Sequence, residues 1–251
     1  MMNLNQEYTD RLYIIGDVHG CYKSLMALID MLPNKQKSHL VFVGDLVDRG
    51  KYSAQVIEFV KNGNYDCVLG NHEAVMVQAH RYEEAEGIAD TYSTKRLWKL
   101  NGGRNTISSY FRPNAGKMSE HLVWMKNLPR YLEFDIPDEN GKTLFITHGF
   151  GLPFWKARDK KVTASKLRNN RLKKRVDTLK VREHYAYEEG YMDYPVFNIF
   201  GHDVVDNVVI TESYAAIDTG CVYGRLPKSE VMYLSALEWP SKMIYQVPYQ
   251  G

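Results

Sequence analysis

The sequence predicts an α/β protein, and three observations support this assignment. The first 73 residues alternate short β-branched, apolar runs with segments of helical periodicity. The second half contains short strand-like segments joined by turns, which indicates more antiparallel pairing. Several strands end in Asp, His or Asn beside a glycine. Because open α/β sheets bind ligands at the carboxyl ends of their strands, the pattern that predicts the fold also places a polar site.

The first part of the chain alternates strands and helices. We predict strands at residues 12–15, 40–43 and 67–69, and helices at residues 22–31 and 53–61. The first helix has apolar residues at helical spacing and ends before Pro33. Ser53 is the expected N-cap of the second helix, and Gly63 is its expected stop. This alternation is typical of parallel strands joined by right-handed crossovers.

The remainder of the chain has a different pattern. Residues 73–128 are predicted to be mostly helical. Strands are then predicted at residues 131–136, 143–147, 196–200, 208–210, 214–217, 230–236 and 242–247, with a turn at residues 138–141. Because no internal repeat, low-complexity tract or linker divides the sequence, we predict a single domain over residues 1–251.

The composition is that of an ordinary globular protein. Of 251 residues, 44% are hydrophobic and 25% are charged, and no stretch approaches the roughly 20 apolar residues that a membrane span needs. Residues 1–11 are polar and lack the apolar core of a signal peptide, so we expect a cytoplasmic protein without membrane contact. The three cysteines have no paired spacing and are expected to be buried filler rather than disulfides: Cys21, Cys67 and Cys221.

The net charge of +2 is unevenly distributed. Residues 156–182 contain twelve Lys or Arg and two Asp, so this segment carries +10 and the rest of the molecule −8. We predict a basic insert or cap at about residues 154–190 that recruits acidic or phosphorylated partners. A solvated helical face is the alternative. Nucleic acid is not the expected partner, because no aromatic side chain for base stacking lies between Trp155 and Tyr185.

Polar residues follow five of the predicted strands, each beside a glycine. They are Asp17 and His19, Asp45, Asn71 and His72, His148, and His202. Because strand ends gather at one edge of a sheet, we expect these side chains to lie together. Oxygen and imidazole donors in one place are what two-metal hydrolysis requires. The remaining histidines lack such a setting: His39, His80, His121 and His184.

Three of these strand ends carry longer motifs. They are Gly-Asp-Val-His-Gly at 16–20, Gly-Asp-Leu-Val-Asp-Arg-Gly at 44–50 and Gly-Asn-His-Glu at 70–73. With the two later histidines, they resemble the signature of the phosphoprotein phosphatase branch of the calcineurin-like metallophosphoesterases. Residues 97–103 also resemble the bacterial and bacteriophage-lambda type of protein phosphatase. The resemblance covers nearly all of residues 12–237 except 150–194, and it implies an α/β/β/α sandwich of two mixed β-sheets flanked by helices.

The resemblance implies six ligands for two divalent metal ions. Asp45 would bridge the two ions. The first ion would also take Asp17 and His19, and the second would also take Asn71, His148 and His202. The mixture of carboxylate, amide and imidazole donors favours Mn²⁺, with Fe or Zn²⁺ as alternatives, over Ca²⁺.

The resemblance also implies direct hydrolysis, in which a metal-bridging hydroxide attacks phosphorus without a phospho-enzyme. His72 would protonate the leaving oxygen, and Asp48 would hold its imidazole in the required tautomer. Arg49 would bind phosphate oxygens through its planar guanidinium. The family usually has a further arginine between the two later histidines. No motif chooses among the five candidates there, which are Arg158, Arg168, Arg171, Arg175 and Arg182.

The motifs leave two substrate classes open. Asp48 and Glu73 are the protein-phosphatase forms at their positions, whereas Leu69 stands where that family has arginine. Residues 68–72 and 217–222 instead resemble the symmetrical dinucleoside tetraphosphate hydrolases of the same superfamily. We predict a metal-dependent phosphatase acting on phosphoproteins at Ser or Thr, with Tyr left open. Dinucleoside tetraphosphate hydrolysis is the alternative, and a nucleic-acid-binding protein with a vestigial site is a remote one.

Overall fold

The computed structural model describes residues 11–34, 38–80, 94–111, 114–171, 191, 193–226 and 232–251. Its strands are β1 (Leu12–Ile15), β2 (His39–Phe42), β3 (Asp66–Cys67), β4 (Tyr131–Phe134), β5 (Thr143–Thr147), β6 (Val196–Phe200), β7 (Val209–Ile210), β8 (Tyr214–Ala216), β9 (Tyr233–Trp239) and β10 (Ile244–Pro248). They form two five-stranded sheets, with the orders β10-β9-β1-β2-β3 and β4-β5-β6-β8-β7. The predicted two-sheet sandwich is therefore confirmed.

Helices lie outside the sheets. The α-helices are α1 (Tyr22–Met31), α2 (Ser53–Asn62), α3 (Asn71–His80), α4 (Arg104–Ser109), α5 (Met118–Lys126) and α6 (Ala164–Asn169), and residues 94–98 are also helical. Short 3-10 helices lie at Leu152–Ala157, Lys161–Thr163 and Cys221–Arg225, and a π-helical turn lies at Lys99–Gly103. Within the described ranges, no helix combines the length and the hydropathy that a membrane span requires.

The two sheets pack against each other through fully buried aliphatic side chains. Ile14 of β1 and Ile146 of β5 belong to the core between the sheets. Because side chains alternate along a strand, the neighbouring Tyr13 points to the opposite face, where it packs with Leu25 of α1 and Val56 of α2. The first sheet is thus buried on both faces, which explains the near-continuous apolar sequence of β1 and β2.

The described part of the basic insert packs on the outer face of the second sheet. Phe145 of β5 and Leu167 of α6 share one buried cluster. The backbone N–H of Gly149, which follows β5, donates to the carbonyl of Leu167 at 2.8 Å. The start of the insert is therefore fastened to the loop that carries His148. The remainder of the insert, residues 172–190, lies outside the described residues.

The strand pairing confirms the expected difference between the two halves of the chain. β1–β2 and β2–β3 pair in parallel, as the alternating pattern predicts. The more antiparallel character expected of the second half is also confirmed, within a sheet that is mixed. β4–β5, β7–β8 and β9–β10 pair antiparallel, whereas β5–β6 and β6–β8 pair in parallel. The long connection that holds the basic insert gives the chain enough length to cross over and return in the same direction.

Two local predictions are corrected. Ser53 is the first residue of α2 rather than its N-cap, and its hydroxyl accepts the backbone N–H of Asp48 at 3.2 Å. The third strand is Asp66–Cys67 rather than 67–69, since the backbone N–H of Leu69 donates to the carbonyl of Pro129 at 2.8 Å. Three strands have the predicted bounds, at residues 12–15, 143–147 and 196–200, and the bounds of the remaining strands differ from the predicted ones by one to three residues.

Candidate metal centre

The loops after β2 and β3 approach each other closely because both contain a glycine. A Cβ on Gly70 would lie 2.3 Å from the backbone nitrogen of Asp45. A Cβ on Gly44, whose φ is +93°, would lie 2.7 Å from the nitrogen of Gly70. No side chain tolerates contacts that short, so glycine is required at both positions. The close approach brings Asp45 and the start of α3 to the same edge of the sheet.

Asp45 lies between two groups of histidines. Its Oδ2 is 3.5 Å from Nε2 of His19 and 3.9 Å from Nε2 of His72. Its Oδ1 is 3.3 Å from Nε2 of His148, and His202 joins that second group, with ligand atoms within 4.8 Å of one another. A carboxylate with one oxygen toward each group has the geometry that bridging two ions requires.

Backbone carbonyls orient two of the histidines. Nδ1 of His19 is 2.7 Å from the carbonyl oxygen of Val47, and Nδ1 of His148 is 2.8 Å from that of Val43. Since a carbonyl only accepts, each Nδ1 carries the proton and each Nε2 directs a lone pair into the site. Nε2 of His148 also lies 2.8 Å from Oδ1 of Asn71. Electron-rich atoms that converge in this way fit a shared cation.

Asp17 lies beside His202. Its two carboxylate oxygens accept the backbone N–H of His202 at 3.3 and 3.2 Å. Asp17 belongs to neither of the two groups around Asp45, so its role as a ligand stays a prediction from the sequence. A further buried carboxylate, Asp218, follows β8 and accepts the backbone N–H of Gly220 at 2.9 Å. Sequence reasoning did not assign Asp218 to the site.

The buried charges of the site perturb one another. Burial and the neighbouring carboxylates raise the pKa of Asp17 well above its ordinary value. Burial lowers the pKa of His19, and burial together with the adjacent His148 lowers the pKa of His202 to about 4. Burial also disfavours the charged form of His148, but the Asp45 carboxylate outweighs this effect and raises its pKa. A divalent cation would stabilise such a cluster.

His72 lies next to Asn71, but a carboxylate holds its ring. Nδ1 of His72 is 2.6 Å from Oδ2 of the fully buried Asp48. Its Nε2 lies 3.0 Å from Nη2 of Arg49 and 3.9 Å from Oδ2 of Asp45. Burial opposes protonation of His72, but Asp45 and Asp48 outweigh it and raise the pKa. This arrangement suits a proton donor whose Nε2 faces the reacting side.

Arg49 reaches the same edge from the loop after β2. Its guanidinium contacts the ring of His19 and lies over the ring of Tyr223, 5.4 Å from the centroid. Its φ of +65° is uncommon for a side chain of this size. Two hydrogen bonds hold that conformation. The backbone N–H of Arg49 donates to the carbonyl of Gly102 at 3.3 Å, and the side-chain amide of Asn105 donates to the backbone carbonyl of Arg49. A guanidinium held there can bind two phosphate oxygens.

One of the arginines between His148 and His202, Arg171, forms an ion pair next to a candidate metal ligand. Its Nη1 lies 2.7 Å from Oδ1 of Asp203, the residue after His202, and its side chain is 68% exposed. Arg158 instead pairs with Glu133 of β4 at 3.0 Å. Two other candidates lie outside the described residues: Arg175 and Arg182.

Glu73 fastens the loop of the bridging aspartate to α3. Its carboxylate accepts the backbone N–H groups of Asp45, Leu46, Val47 and Gly70 at 2.9, 2.8, 3.1 and 3.1 Å. Consecutive N–H groups that face one anion form a backbone nest. The sequence reasoning used Glu73 only to compare substrate classes. Its position directly after Asn71-His72 was the available signal for this role.

The donor set fits divalent metal ions. Asp45 offers an oxygen to each group, and the imidazoles offer oriented lone pairs, so hard oxygen and borderline nitrogen donors alternate around the site. Burial removes competing water from His19, Asp45 and His148. The residues therefore have the chemistry that a metal-dependent hydrolase needs.

Comparison with known proteins gives the same result. Residues 10–211 match the family model described as calcineurin-like phosphoesterase. The chain is 33% identical over 129 residues to the symmetrical bis(5'-nucleosyl)-tetraphosphatase of Psychromonas ingrahamii, and 26% identical over 147 residues to serine/threonine-protein phosphatase 2 of Salmonella typhimurium. These alignments cover 49% and 58% of this chain but only 41% and 61% of the two relatives.

A solved structure extends the similarity to the whole architecture. The crystal structure of a protein proposed to be a diadenosine tetraphosphatase has a TM-score of 0.64 and covers 98% of this chain and 96% of its own. At 22% identity this similarity concerns the fold alone. The residues around Asp45 all lie within the range that the family model matches. The chain belongs to the calcineurin-like phosphoesterase family and is a metallophosphoesterase.

Proposed function

We propose that this metallophosphoesterase hydrolyses phosphomonoesters on proteins. The observation that carries the proposal is the 2.6 Å contact between Nδ1 of His72 and Oδ2 of Asp48. A seryl or threonyl oxygen is a poor leaving group, so it needs a proton in the transition state, and Nε2 of His72 is placed to give one. The leaving group of a dinucleoside polyphosphate is itself a phosphate, which departs as a stable anion with less assistance.

Two divalent ions, for which we propose Mn²⁺, would activate water and offset the charge of the phosphate when bound. Arg49 would orient the phosphate through its guanidinium. We propose Arg171 as the second cationic contact, because it borders His202 and Leu69 offers no charge at its own position. The basic segment 156–182, of which 172–182 lie outside the described residues, would attract acidic residues around the phosphorylated side chain.

Hydrolysis of symmetrical dinucleoside tetraphosphates is the second candidate. Leu69 favours it, since the half-buried leucine puts an apolar side chain beside Gly70 and Asn71 where a protein phosphatase has arginine. The relative from Psychromonas ingrahamii has that activity in its name. The two candidates differ in leaving group, so one assay separates them.

A substrate panel with the Mn²⁺-loaded protein tests the proposal. Phosphoserine, phosphothreonine and phosphotyrosine peptides are compared with diadenosine tetraphosphate and 4-nitrophenyl phosphate, each with and without a chelator. We expect kcat/KM for the phosphoserine or phosphothreonine peptide to exceed that for diadenosine tetraphosphate, and we expect every activity to disappear with the chelator. A preference for diadenosine tetraphosphate would reverse the assignment. Activity that survives chelation would contradict metal dependence.

A further inference from the structure

Three side chains donate hydrogen bonds to the carboxylate of Asp48. The Thr106 hydroxyl donates to Oδ1 at 2.7 Å, and the Trp98 indole N–H lies 3.0 and 3.1 Å from the two oxygens. The third donor is Nδ1 of His72, 2.6 Å from Oδ2. Trp98 and Thr106 come from a region that supplies no candidate metal ligand. Among the described contacts, the hydrogen bonds of Trp98 and Thr106 thus reach the metal centre through Asp48.

A pair of glycines makes the Trp98 contact possible. Trp98 is fully buried, and a Cβ on Gly103 would lie 2.4 Å from its ring, so only glycine admits the indole there. Gly102 has a φ of +113°, and a Cβ on it would lie 2.5 Å from the backbone nitrogen of Arg49. The turn at Lys99–Gly103 thus packs tightly against Arg49 and against Trp98, whose indole N–H binds Asp48.

Thr106 holds both the backbone and the side chain of Asp48. Its Oγ1 accepts the backbone N–H of Asp48 at 2.9 Å while its hydroxyl hydrogen goes to the carboxylate. Ser53 Oγ lies 3.2 Å from both the same N–H and Thr106 Oγ1. Asp48 has a φ of +70°, a conformation that costs energy for a non-glycine residue. These bonds fix a strained residue in one orientation.

We propose that Trp98 and Thr106 are positioning residues that set the tautomer and direction of the His72 ring by fixing the carboxylate of Asp48. With Oδ1 held by Thr106 and Trp98, Oδ2 stays available to the Nδ1–H of His72. The terminal torsion of an aspartate is broad, so a carboxylate without these donors is free to rotate. An imidazole that loses its carboxylate partner can carry its proton on either nitrogen and can turn its Nε2 away from the leaving oxygen, so neither the tautomer nor the ring direction stays fixed.

The inference rests on the proposed function only for its effect on catalysis. Two readouts therefore test the positioning of the His72 ring separately from its effect on catalysis. The first readout is the ¹⁵N NMR signature of the His72 ring in the protein loaded with diamagnetic Zn²⁺. The second is kcat for a phosphoserine peptide against kcat for 4-nitrophenyl phosphate, whose leaving group departs without a proton. The variants are Trp98→Phe and Thr106→Val, with Thr106→Ser as the conservative replacement. Trp124→Phe is the matched control, since Trp124 is half-buried against the same helical core as Trp98.

We expect Trp98→Phe and Thr106→Val to reduce the Nδ1-protonated tautomer of His72. Both should lower kcat for the phosphoserine peptide about tenfold and leave kcat for 4-nitrophenyl phosphate within about twofold. Thr106→Ser and Trp124→Phe should behave like the parent. If Trp98→Phe lowers the folded fraction, the Thr106→Val and Thr106→Ser pair carries the comparison, because both variants keep a small side chain at that position.

An unchanged His72 tautomer in Thr106→Val would overturn the inference, whatever the activity. A changed tautomer with equal losses on the two substrates would support the positioning role and refute the proton-donor role of His72. A changed tautomer with the selective loss on the phosphoserine peptide would support both.

Discussion

The two sheets contribute to the metal centre in different ways. On the first-sheet side, buried carboxylates hold the loops, since Glu73 and Asp48 are both 0% exposed and both bind several donors. On the second-sheet side, His202 is only partly buried and the adjacent Arg171 is exposed to solvent. In the proposed function, the first side would fix the reacting groups, and the exposed Arg171 on the second side would contact the substrate. Substitutions of Glu73 or His72 on the first side should therefore lower kcat, and substitution of Arg171 on the second side should raise KM.

The largest effect is expected for His72→Asn on the first-sheet side. Removal of a proton donor costs about 10²–10⁴ in rate, and we expect a loss in this range of kcat for a phosphoserine peptide. The loss for 4-nitrophenyl phosphate should be less than about tenfold, because its leaving group needs no proton. Steady-state kinetics measure both. His39→Asn is the control, since His39 pairs with Asp66 at 2.9 Å outside the metal centre. Equal losses on the two substrates would contradict the assigned role.

A smaller loss is expected for Glu73→Gln. A glutamine amide has one oxygen to accept hydrogen bonds, and its NH₂ group would face backbone donors that the carboxylate now satisfies. Buried donors left unsatisfied cost about 1–3 kcal/mol, so kcat should fall roughly tenfold to a hundredfold. Metal affinity, measured by calorimetric titration with Mn²⁺, should fall as well because the loop carries Asp45. If KM rises while kcat and metal affinity stay normal, Glu73 acts on substrate binding, which contradicts the role proposed for the first side.

The matched control for Glu73→Gln is Glu133→Gln. Glu133 also accepts hydrogen bonds from two side chains, the indole of Trp155 and the guanidinium of Arg158, each at 3.0 Å. It lies on the half-buried strand β4 rather than under the metal loops. We expect it to leave kcat and Mn²⁺ affinity unchanged. Glu73→Asp keeps the charge but shortens the reach, so it should fall between the parent and Glu73→Gln.

Arg171→Ala tests the second-sheet side. Loss of a phosphate contact at an exposed position should raise KM for a phosphopeptide about tenfold, which corresponds to about 1.4 kcal/mol, and should change kcat less than about threefold. Arg158→Ala is the control, since its ion pair with Glu133 lies away from the candidate ligands. A fall in kcat with unchanged KM would mean that Arg171 acts on the chemical step rather than on substrate binding.

The contrast between the two sides also explains what the sequence could predict. Asp17, His19 and Asp45 stand directly after apolar strands, so local pattern alone places them at a sheet edge. Trp98 and Thr106 meet Asp48 across 50 and 58 residues, and no periodicity links positions so far apart. Supporting residues of this kind become visible only when tertiary contacts are known.

The same reasoning applies to the fold. The parallel order of β1, β2 and β3 follows from short strand–helix–strand units, and it was predicted correctly. The sequence offered no prediction for the parallel pairing of β5 with β6, because that pairing depends on how a long basic insert returns to the sheet. The ion pair between Arg171 and Asp203 could not be predicted for the same reason, since the two residues are 32 positions apart in the sequence.

The smallest effect is expected for a histidine–carboxylate pair outside both sides of the site. His121 of α5 lies against Glu58 of α2. Its Nε2 is 2.8 Å from Oε2 of Glu58, and its Nδ1 is 2.9 Å from the hydroxyl of Tyr110. The hydrogen bond from His121, assisted by Lys117, lowers the pKa of Glu58 from 4.5 to about 2. A depressed carboxyl pKa means that the stabilisation is fully present above pH 4.5 and disappears as the pH falls toward 2.

Glu58→Gln should therefore lower the Tm at pH 7 by about 2 °C, the scale of a partly exposed pair in a chain of this size, and leave kcat unchanged. The Tm difference from the parent should shrink when calorimetric scans are repeated between pH 4.5 and pH 3. Glu120→Gln, which removes an exposed ion pair with Lys61, should change the Tm less. A Tm difference that stays constant with pH would mean that Glu58 acts through packing. A loss of kcat would mean that a buried histidine–carboxylate pair outside the metal centre also supports catalysis. The helices that carry Glu58 and His121 would then contribute to catalysis together with the two sheets.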